Sequence, residues 1–342
     1  MALRSVTPAV TALATVVALG LGVVGGKAAF GGDDEAGEQG GAAVAGTRVD
    51  VIVKATNSEF WQSMLAGSKK AGDDLGIRLG LFGPTAETDI EPQIQLVEDA
   101  ISRGAQAIVL AANSSTALDS VIDKARKAGI KVITVDNAVH TKTEGFLGTD
   151  NIKAGQQAGE RLCKLMTARG KADGTVLHET SVSGVQVLTD RFDGFKKGLA
   201  AGCPDARVSQ TLANNNDVNA AVGQVSDVLA TSHSLAGVFA DNNVSGIGTA
   251  KAIQEKKAEG RVDVVSFDSD PAEVAAVKTG AIDAIVVQNP FFFGYQGVVE
   301  AAMAHAGSPA PVNLDPGAVL VDRKNVGSED LKSLLNPPKV KK

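Results

Sequence analysis

Short polar groups recur directly after short apolar runs in this sequence. Asn57 and Ser58, with Phe60 and Trp61 close behind, follow Val49–Lys54. Asn113 follows Ala107–Ala111, and Asp136 and Asn137 follow Val132–Val135. In the second half, Asp241-Asn242-Asn243 follow Gly237–Ala240, Asp268 follows Val262–Phe267, and Gln288-Asn289 follow Ala284–Val287. The set consists of carboxylates and amides with two aromatics. Carboxylates accept hydrogen bonds from hydroxyls, and amides both donate and accept. Aromatic faces cover the apolar C–H side of a sugar ring. The inventory suits a neutral polyhydroxy ligand. Each position also has a structural explanation: Asn and Asp after a strand serve as turn residues or helix caps. Asn57, Asp241 or Asn242, and Ser269 are candidate caps, and Phe60 and Trp61 candidate core. Recurrence in both halves of the chain favours binding.

Chemistry beyond binding finds little support. The only GxGxxG match, Gly20 to Gly25, lies inside an apolar N-terminal run, and there is no P-loop or HExxH. His178-Glu179 lacks a second histidine, Ser183-Gly184 lacks the setting of a nucleophile elbow, and no His/Cys/Asp/Glu cluster has metal-ligand spacing. The acidic pairs Asp89/Glu91 and Asp268/Asp270 are accounted for by helix starts. No catalytic residue, metal or cofactor is expected.

The elements that must position the polar groups alternate strand and helix from Arg48 onward. Expected helices are Glu59–Leu75, Ile90–Ser102, Thr116–Ala128, Ile152–Ala168, Val187–Ala201, Val218–Ala230, Val244–Lys257, one from Pro271, and Pro290–Ala306. The remaining strands are Ile77–Phe82, Gly145–Gly148, Thr175–His178 and Val208–Leu212, with Val312–Val321 a last extended piece that crosses the lobes again. Parallel strands need helical crossovers, so each half forms a sheet covered by helices. The expected fold is α/β, with two Rossmann-like lobes of parallel sheet joined by a hinge. Ligands of such sheets sit at the carboxyl edge, so the two edges would face one cleft. Ile130–Asn151 both ends a cleft strand and crosses to the second unit. The first lobe is expected over 48–148 with 289–314, the second over 149–288 with 315–326, and 327–342 as a C-terminal tail.

The 342 residues are 44% hydrophobic and 21% charged, enough for about two domains with real cores. A formal charge of −6 and the lack of a basic patch argue against a nucleic-acid partner; Lys339–Lys342 reads as a solvated tail. No charge occurs between Arg4 and Lys27, and Ala9–Val24 is almost wholly apolar. Residues 1–30 read as an export signal, or as an anchor retained in the membrane; either places the fold outside the cytoplasm. Residues 31–47, rich in Gly and acids, read as a flexible linker. The only cysteines are Cys163 and Cys203. In an exported chain they suggest a disulfide, the other reading being two separate buried thiols; their places towards helix ends favour the disulfide.

At these residues the chain resembles the ribose/galactose-type (type I) periplasmic solute-binding proteins of sugar ABC importers. The resemblance runs from Arg48 to about Val326 and rests on NSEFW (57–61), VITVDN (132–137), GTDN (148–151), TDRFDGF (189–195), FADNN (239–243), VVSFDSDP (264–271) and VVQNP (286–290), in the family's order. It implies ring-stacking aromatics at Phe60 and Trp61, and hydroxyl-binding groups at Asp136, Asn242, Asp268 and Gln288. Thr189 and Arg191 fall in the motif that supplies an arginine in ribose binders, and Asn113 is a looser candidate. The sequence departs from the ribose pattern where Asn137 and Thr189 replace arginines, and where Asn216 stands near the place of a second-lobe aromatic. A pentose, hexose or polyol other than ribose is therefore as plausible. The resemblance implies a monomeric, non-enzymatic receptor that closes on a monosaccharide or polyol and docks on an ABC permease. A sensory protein presenting a sugar or autoinducer to a membrane receptor is the alternative. A secreted glycosidase using Asp136 and Asp268 is the third reading. The family also extends to sugar-responsive repressors, but an export segment stands here where those carry a DNA-binding helix-turn-helix.

Overall fold

The computed structural model describes residues 44–309 and 313–339. The expected export segment, most of the expected linker and the final residues of the lysine tail lie outside them. In the first lobe, β1 (Arg48–Ile52), β2 (Arg78–Phe82), β3 (Ala107–Leu110), β4 (Lys131–Val135) and β5 (Gly145–Leu147) alternate with α1 (Glu59–Leu75), α2 (Ile90–Ser102) and α3 (Asp119–Lys127). The second lobe is opened by α4 (Asn151–Ala168). There β6 (Thr175–Thr180), β7 (Arg207–Ala213), β8 (Leu235–Ala240), β9 (Asp263–Phe267) and β10 (Ala284–Val287) alternate with α5 (Gln186–Gly202), α6 (Val218–Thr231), α7 (Asn243–Glu255) and α8 (Pro271–Thr279). The chain continues through α9 (Pro290–His305), β11 (Asn313–Leu314), β12 (Val319–Asp322) and a last short helix, α10 (Lys332–Leu335).

The sheets run β11-β5-β4-β3-β1-β2 and β12-β10-β9-β8-β6-β7. Stripped of β11 and β12, the two orders are the same, with the third strand beside the first. All pairings are parallel except β10 with β12. Parallel strands are buried on both faces, and β1 shows why its run is so apolar. Val49, Val51 and Val53 pack under α1 and α9 with Met64, Leu65, Phe293 and Ala301. Ile52 packs on the opposite face with Val97, Val121 and Ile122 of α2 and α3.

Among the described residues the connections cross between the lobes three times, from β5 to α4, from β10 to α9 and from β11 to β12. After each of the first two crossings the helix packs on the other lobe: α4 joins the core of Val176, Phe195 and Phe239, and α9 joins that of Trp61 and Met64. The contact between α4 and α5 is backbone to backbone. A Cβ on Gly155 would come within 2.0 Å of the Arg191 carbonyl, and one on Gly194 within 2.0 Å of the Ile152 carbonyl. These two glycines let α5 sit where Arg191 reaches the cleft. Cys163 of α4 and Cys203, just past α5, are joined by a disulfide with Cα atoms 5.7 Å apart.

Two expectations need correction and a third gains detail. The final extended piece crosses the lobes as expected, and does so as two strands in different sheets, separated by a turn in which Gly317 takes φ 79° and its N–H donates to Asp315 Oδ1 at 2.7 Å. Helix α3 starts at Asp119 rather than Thr116, because Ser114 Oγ accepts from the N–H groups of Thr116 and Ala117 and holds a turn there. The described parts of the linker and tail segments are packed. Val44 is buried against the first lobe, Leu335 against the second, and the Lys339 ammonium pairs with Glu59 at the start of α1. No described helix is long and apolar enough to cross a membrane.

Candidate functional site

Residues that follow strands of both sheets line one cavity of about 300 Å³. Asp136 and Asp268 hold corresponding places in it, one residue past β4 and β9, the fourth strand of each lobe. Both adopt left-handed backbone, φ 62° and 76°, a region Asp tolerates better than most residues. In each, the backbone N–H donates to the neighbouring fifth strand, to Leu147 and Val286 carbonyls, at 2.8 Å. The strand end thus fixes the backbone of each aspartate and leaves its side chain at the cavity.

The carboxylates are held on one oxygen. Lys54 Nζ donates to Asp136 Oδ2 at 2.7 Å, with both side chains buried. Gln288 Nε2 donates to Asp268 Oδ1 at 2.7 Å. Trp61 Nε1 donates to Glu87 Oε1 at 2.6 Å. Among the described residues, no side chain donates to the second oxygen of any of the three. Two amide oxygens at the cavity, Asn113 Oδ1 and Gln288 Oε1, are buried and without a partner among the described residues. Unsatisfied buried acceptors are costly, so the lining is complementary to a molecule rich in O–H donors.

Donors come mainly from Lys54 and Arg191. The Arg191 guanidinium is buried at 3% exposure and lies over the Phe267 ring, 4.4 Å from its centroid. Its Nε donates to Asn151 Oδ1 at 2.9 Å and one terminal nitrogen to the Asp241 carbonyl at 2.8 Å. Burial pushes the Asp268 carboxyl above the usual carboxylate range. The Arg191 charge and the Gln288 bond oppose that shift, while Asp136 and Glu87 add to it.

Among the residues expected from sequence, Ser58, Phe60, Trp61, Asn113, Asp136, Arg191, Asn242, Asp268 and Gln288 line the cavity. Capping and lining prove compatible: Asn242 Oδ1 accepts from Ser245 N–H at 3.0 Å to cap α7, yet the residue borders the cavity. Ser58, rather than Asn57, holds the N-cap position of α1 and makes no side-chain cap bond; Asp270, rather than Ser269, caps α8. The remaining three residues lie elsewhere. Asn57 is exposed. Asn137 turns its amide away, donating to the Ala112 carbonyl at 3.1 Å and to Ser115 Oγ at 3.4 Å. Thr189 is exposed, and its hydroxyl donates to the Val185 carbonyl of its own helix turn.

Lys54, Glu87 and the loop Ser181–Val185 also line the cavity, although none of them stands among the ligand-binding residues expected from sequence. Lys54 carried a readable cue, a lysine ending an apolar strand. Glu87 carried none, because it stands in a loop without periodicity. His178 belongs to the second lobe's interior: it is stacked on Phe192 at 3.9 Å and bonded to Asp241 Oδ2 at 3.0 Å. No group of three or more metal-ligating side chains occurs among the described residues.

Two parallel-sheet lobes, three crossings and a polar cavity shared by both strand edges define a two-lobed binding protein. The match to known proteins gives its family. Residues 49–309 match the periplasmic binding protein domain model, and the chain belongs to that family, which implies an extracytoplasmic location. Among curated relatives, the ribose import binding protein of Haemophilus influenzae is 26% identical over 74% of this chain and 84% of its own length. Among solved structures, a carbohydrate transporter solute-binding protein of Agrobacterium radiobacter, in complex with D-arabinose, superposes with a TM-score of 0.79 and 32% identity. That match covers 85% of this chain and 99% of the other. A solute-binding protein of Agrobacterium vitis bound to α-D-tagatopyranose gives 0.79 and 28%, over 84% and 99%.

Proposed function

We propose that the chain is an exported receptor that captures one neutral monosaccharide or polyol between its lobes and delivers it to an ABC permease. The lobes, 48–148 with 289–314 and 149–288 with 315–326, act as two rigid bodies that hinge at the crossings and close on the ligand. The protein works as a monomer, needs no metal or cofactor, and reaches its compartment through the apolar N-terminal segment. The observation that carries this reading is the pairing of Asp136 and Asp268 at equivalent strand ends, each with one oxygen fixed by a protein donor. Hydroxyls of one ligand would bridge the second oxygens and so link the lobes. The sugars held by the two Agrobacterium proteins support the ligand class.

The cavity is rich in acceptors, so an uncharged sugar fits it better than a sugar acid, whose carboxylate would meet Asp136, Glu87 and Asp268. Two carboxyl groups bordering one cavity, Asp136 and Asp268, are also what a glycosidase would use. The account expects no turnover of aryl glycosides, and turnover lost in Asp136→Ala would overturn the non-enzymatic part of it.

Calorimetric titration of the purified protein, freed of bound sugar, tests the reading. The panel is D-arabinose, D-ribose, D-allose, D-fucose and D-tagatose. The expected result is saturable binding of at least one, one per chain, at micromolar Kd or tighter, which corresponds to roughly 8 kcal/mol, and its loss in Asp268→Ala. Heat from none of them would contradict the ligand class.

A further inference from the structure

We propose that Glu87 is a positioning and ligand-contacting residue: one carboxylate oxygen fixes the Trp61 indole and the other accepts a hydroxyl of the bound sugar. The proposal rests on the reading of the cavity as a monosaccharide site. Glu87 stands in the loop between β2 and α2, which is itself anchored. Thr56 donates to the Pro84 carbonyl from its N–H at 2.9 Å and from its hydroxyl at 3.2 Å, and the Ala86 N–H donates to Asp89 Oδ2 at 3.0 Å. The loop is therefore tied to the segment that leads into α1, whose first turn carries Trp61.

Trp61 is buried at 3% exposure and meets Phe60 edge to face, ring centroids 4.7 Å apart. The Lys54 ammonium lies 5.5 Å from its ring centroid and continues to Asp136. Glu87, Trp61, Lys54 and Asp136 thus form one connected row along the first lobe's wall. A ring that packs on a sugar face must be held at one tilt. A buried indole has a single polar handle, its N–H, and here that handle ends on a carboxylate at 2.6 Å. Glu87 borders the cavity, and among the described residues no side chain donates to its second oxygen, which leaves that oxygen available to a ligand hydroxyl.

Trp61 is the only tryptophan in the chain, so its emission reports the contact directly. The test uses the full protein, its Glu87→Gln and Glu87→Ala variants, and Asp268→Ala as a control. Each is checked for folding by circular dichroism and titrated with D-arabinose, D-ribose, D-allose and D-tagatose. In Glu87→Gln the side-chain oxygen still accepts from the indole, so emission and acrylamide quenching stay as in the wild type. The loss of the charged acceptor weakens the tightest sugar roughly fivefold. In Glu87→Ala the indole loses its partner, emission shifts, quenching rises and affinity falls about tenfold or more.

Unchanged emission and unchanged affinities in Glu87→Ala would overturn the proposal. If Asp268→Ala abolishes binding while both Glu87 variants bind as the wild type, the Glu87 assignment alone has failed. If Asp268→Ala also binds normally, or the wild type binds none of these sugars, the cavity reading has failed and the ligand contact with it. An emission shift confined to Glu87→Ala would in that event still support the positioning role, and its absence would overturn that too.

Discussion

The two lobes place an aspartate at the same topological point and surround it differently. Asp136 and Asp268 share the strand-end position, the left-handed backbone and the N–H bond to the fifth strand. Asp136 is locked in an ion pair with buried Lys54. Asp268 is held by a neutral amide, with Arg191 acting at longer range and burial pushing its carboxyl upward. The backbone frame is thus a property of the fold, whereas the chemistry of each half-site is set by one neighbouring side chain. The lobes differ in reinforcement as well. The second has a disulfide joining the helix pair that carries Arg191, and the first has none among the described residues.

The largest expected effect concerns that crosslink. Cys163→Ser with Cys203→Ser should cost about 4 kcal/mol in the chain-entropy description of a loop of this span, measured by urea denaturation. Hydrogen exchange should show the loss concentrated in the second lobe. Equal loosening of both lobes would mean that they unfold as one unit.

Next comes the aspartate pair. Asp136→Ala leaves the Lys54 ammonium buried without its partner and should cost about 3 kcal/mol of stability. Asp268→Ala strands only an amide and should cost about 1 kcal/mol. Equal losses in the two melts would erase the contrast between the half-sites.

A smaller effect is carried by one buried acid in each lobe. Burial pushes Glu300 of α9 up to about 7 and Glu179 of β6 up to about 8, from an ordinary 4.5; the Gln296 and Asn214 bonds oppose the shifts, and the Asp241 charge adds to that of Glu179. The folded protein then holds protons that the unfolded chain has released, so their stabilising contribution is full below about pH 4.5 and is lost as pH rises through about 7 and 8. Glu300→Gln should flatten the decline in stability between about pH 4.5 and 7, and Glu179→Gln that between about pH 4.5 and 8. An unaltered profile in both would remove these acids as its cause. The smallest effect is at the C-terminus: Lys339→Ala breaks an exposed pair with Glu59 and should change stability by no more than about 0.5 kcal/mol.

The fold was legible because its strands are buried on both faces and bounded by helical periodicity. Val49–Lys54 and Val262–Phe267 could be read with nothing but burial and turn chemistry. The half-site aspartates were legible for the same reason, as polar residues that end apolar runs. What failed to show was direction and reach. Asn137 adjoins Asp136 in sequence, yet the sharp left-handed turn at Asp136 sends its amide behind the sheet edge. Thr189 lies two residues before Arg191 and consequently on a different face of α5. Glu87 enters the cavity from a loop whose course is fixed by Thr56 and Pro84, contacts between distant residues that no local pattern records.

The central claim is that one ligand is held by both half-sites at once. The crystal structure of the protein with the tightest-binding sugar of the panel tests it directly. The account predicts ring hydroxyls within hydrogen-bond distance of the second oxygens of both Asp136 and Asp268 in the same molecule, with Trp61 against the ring face. A sugar bonded to one lobe only, or seated outside this cavity, would contradict it.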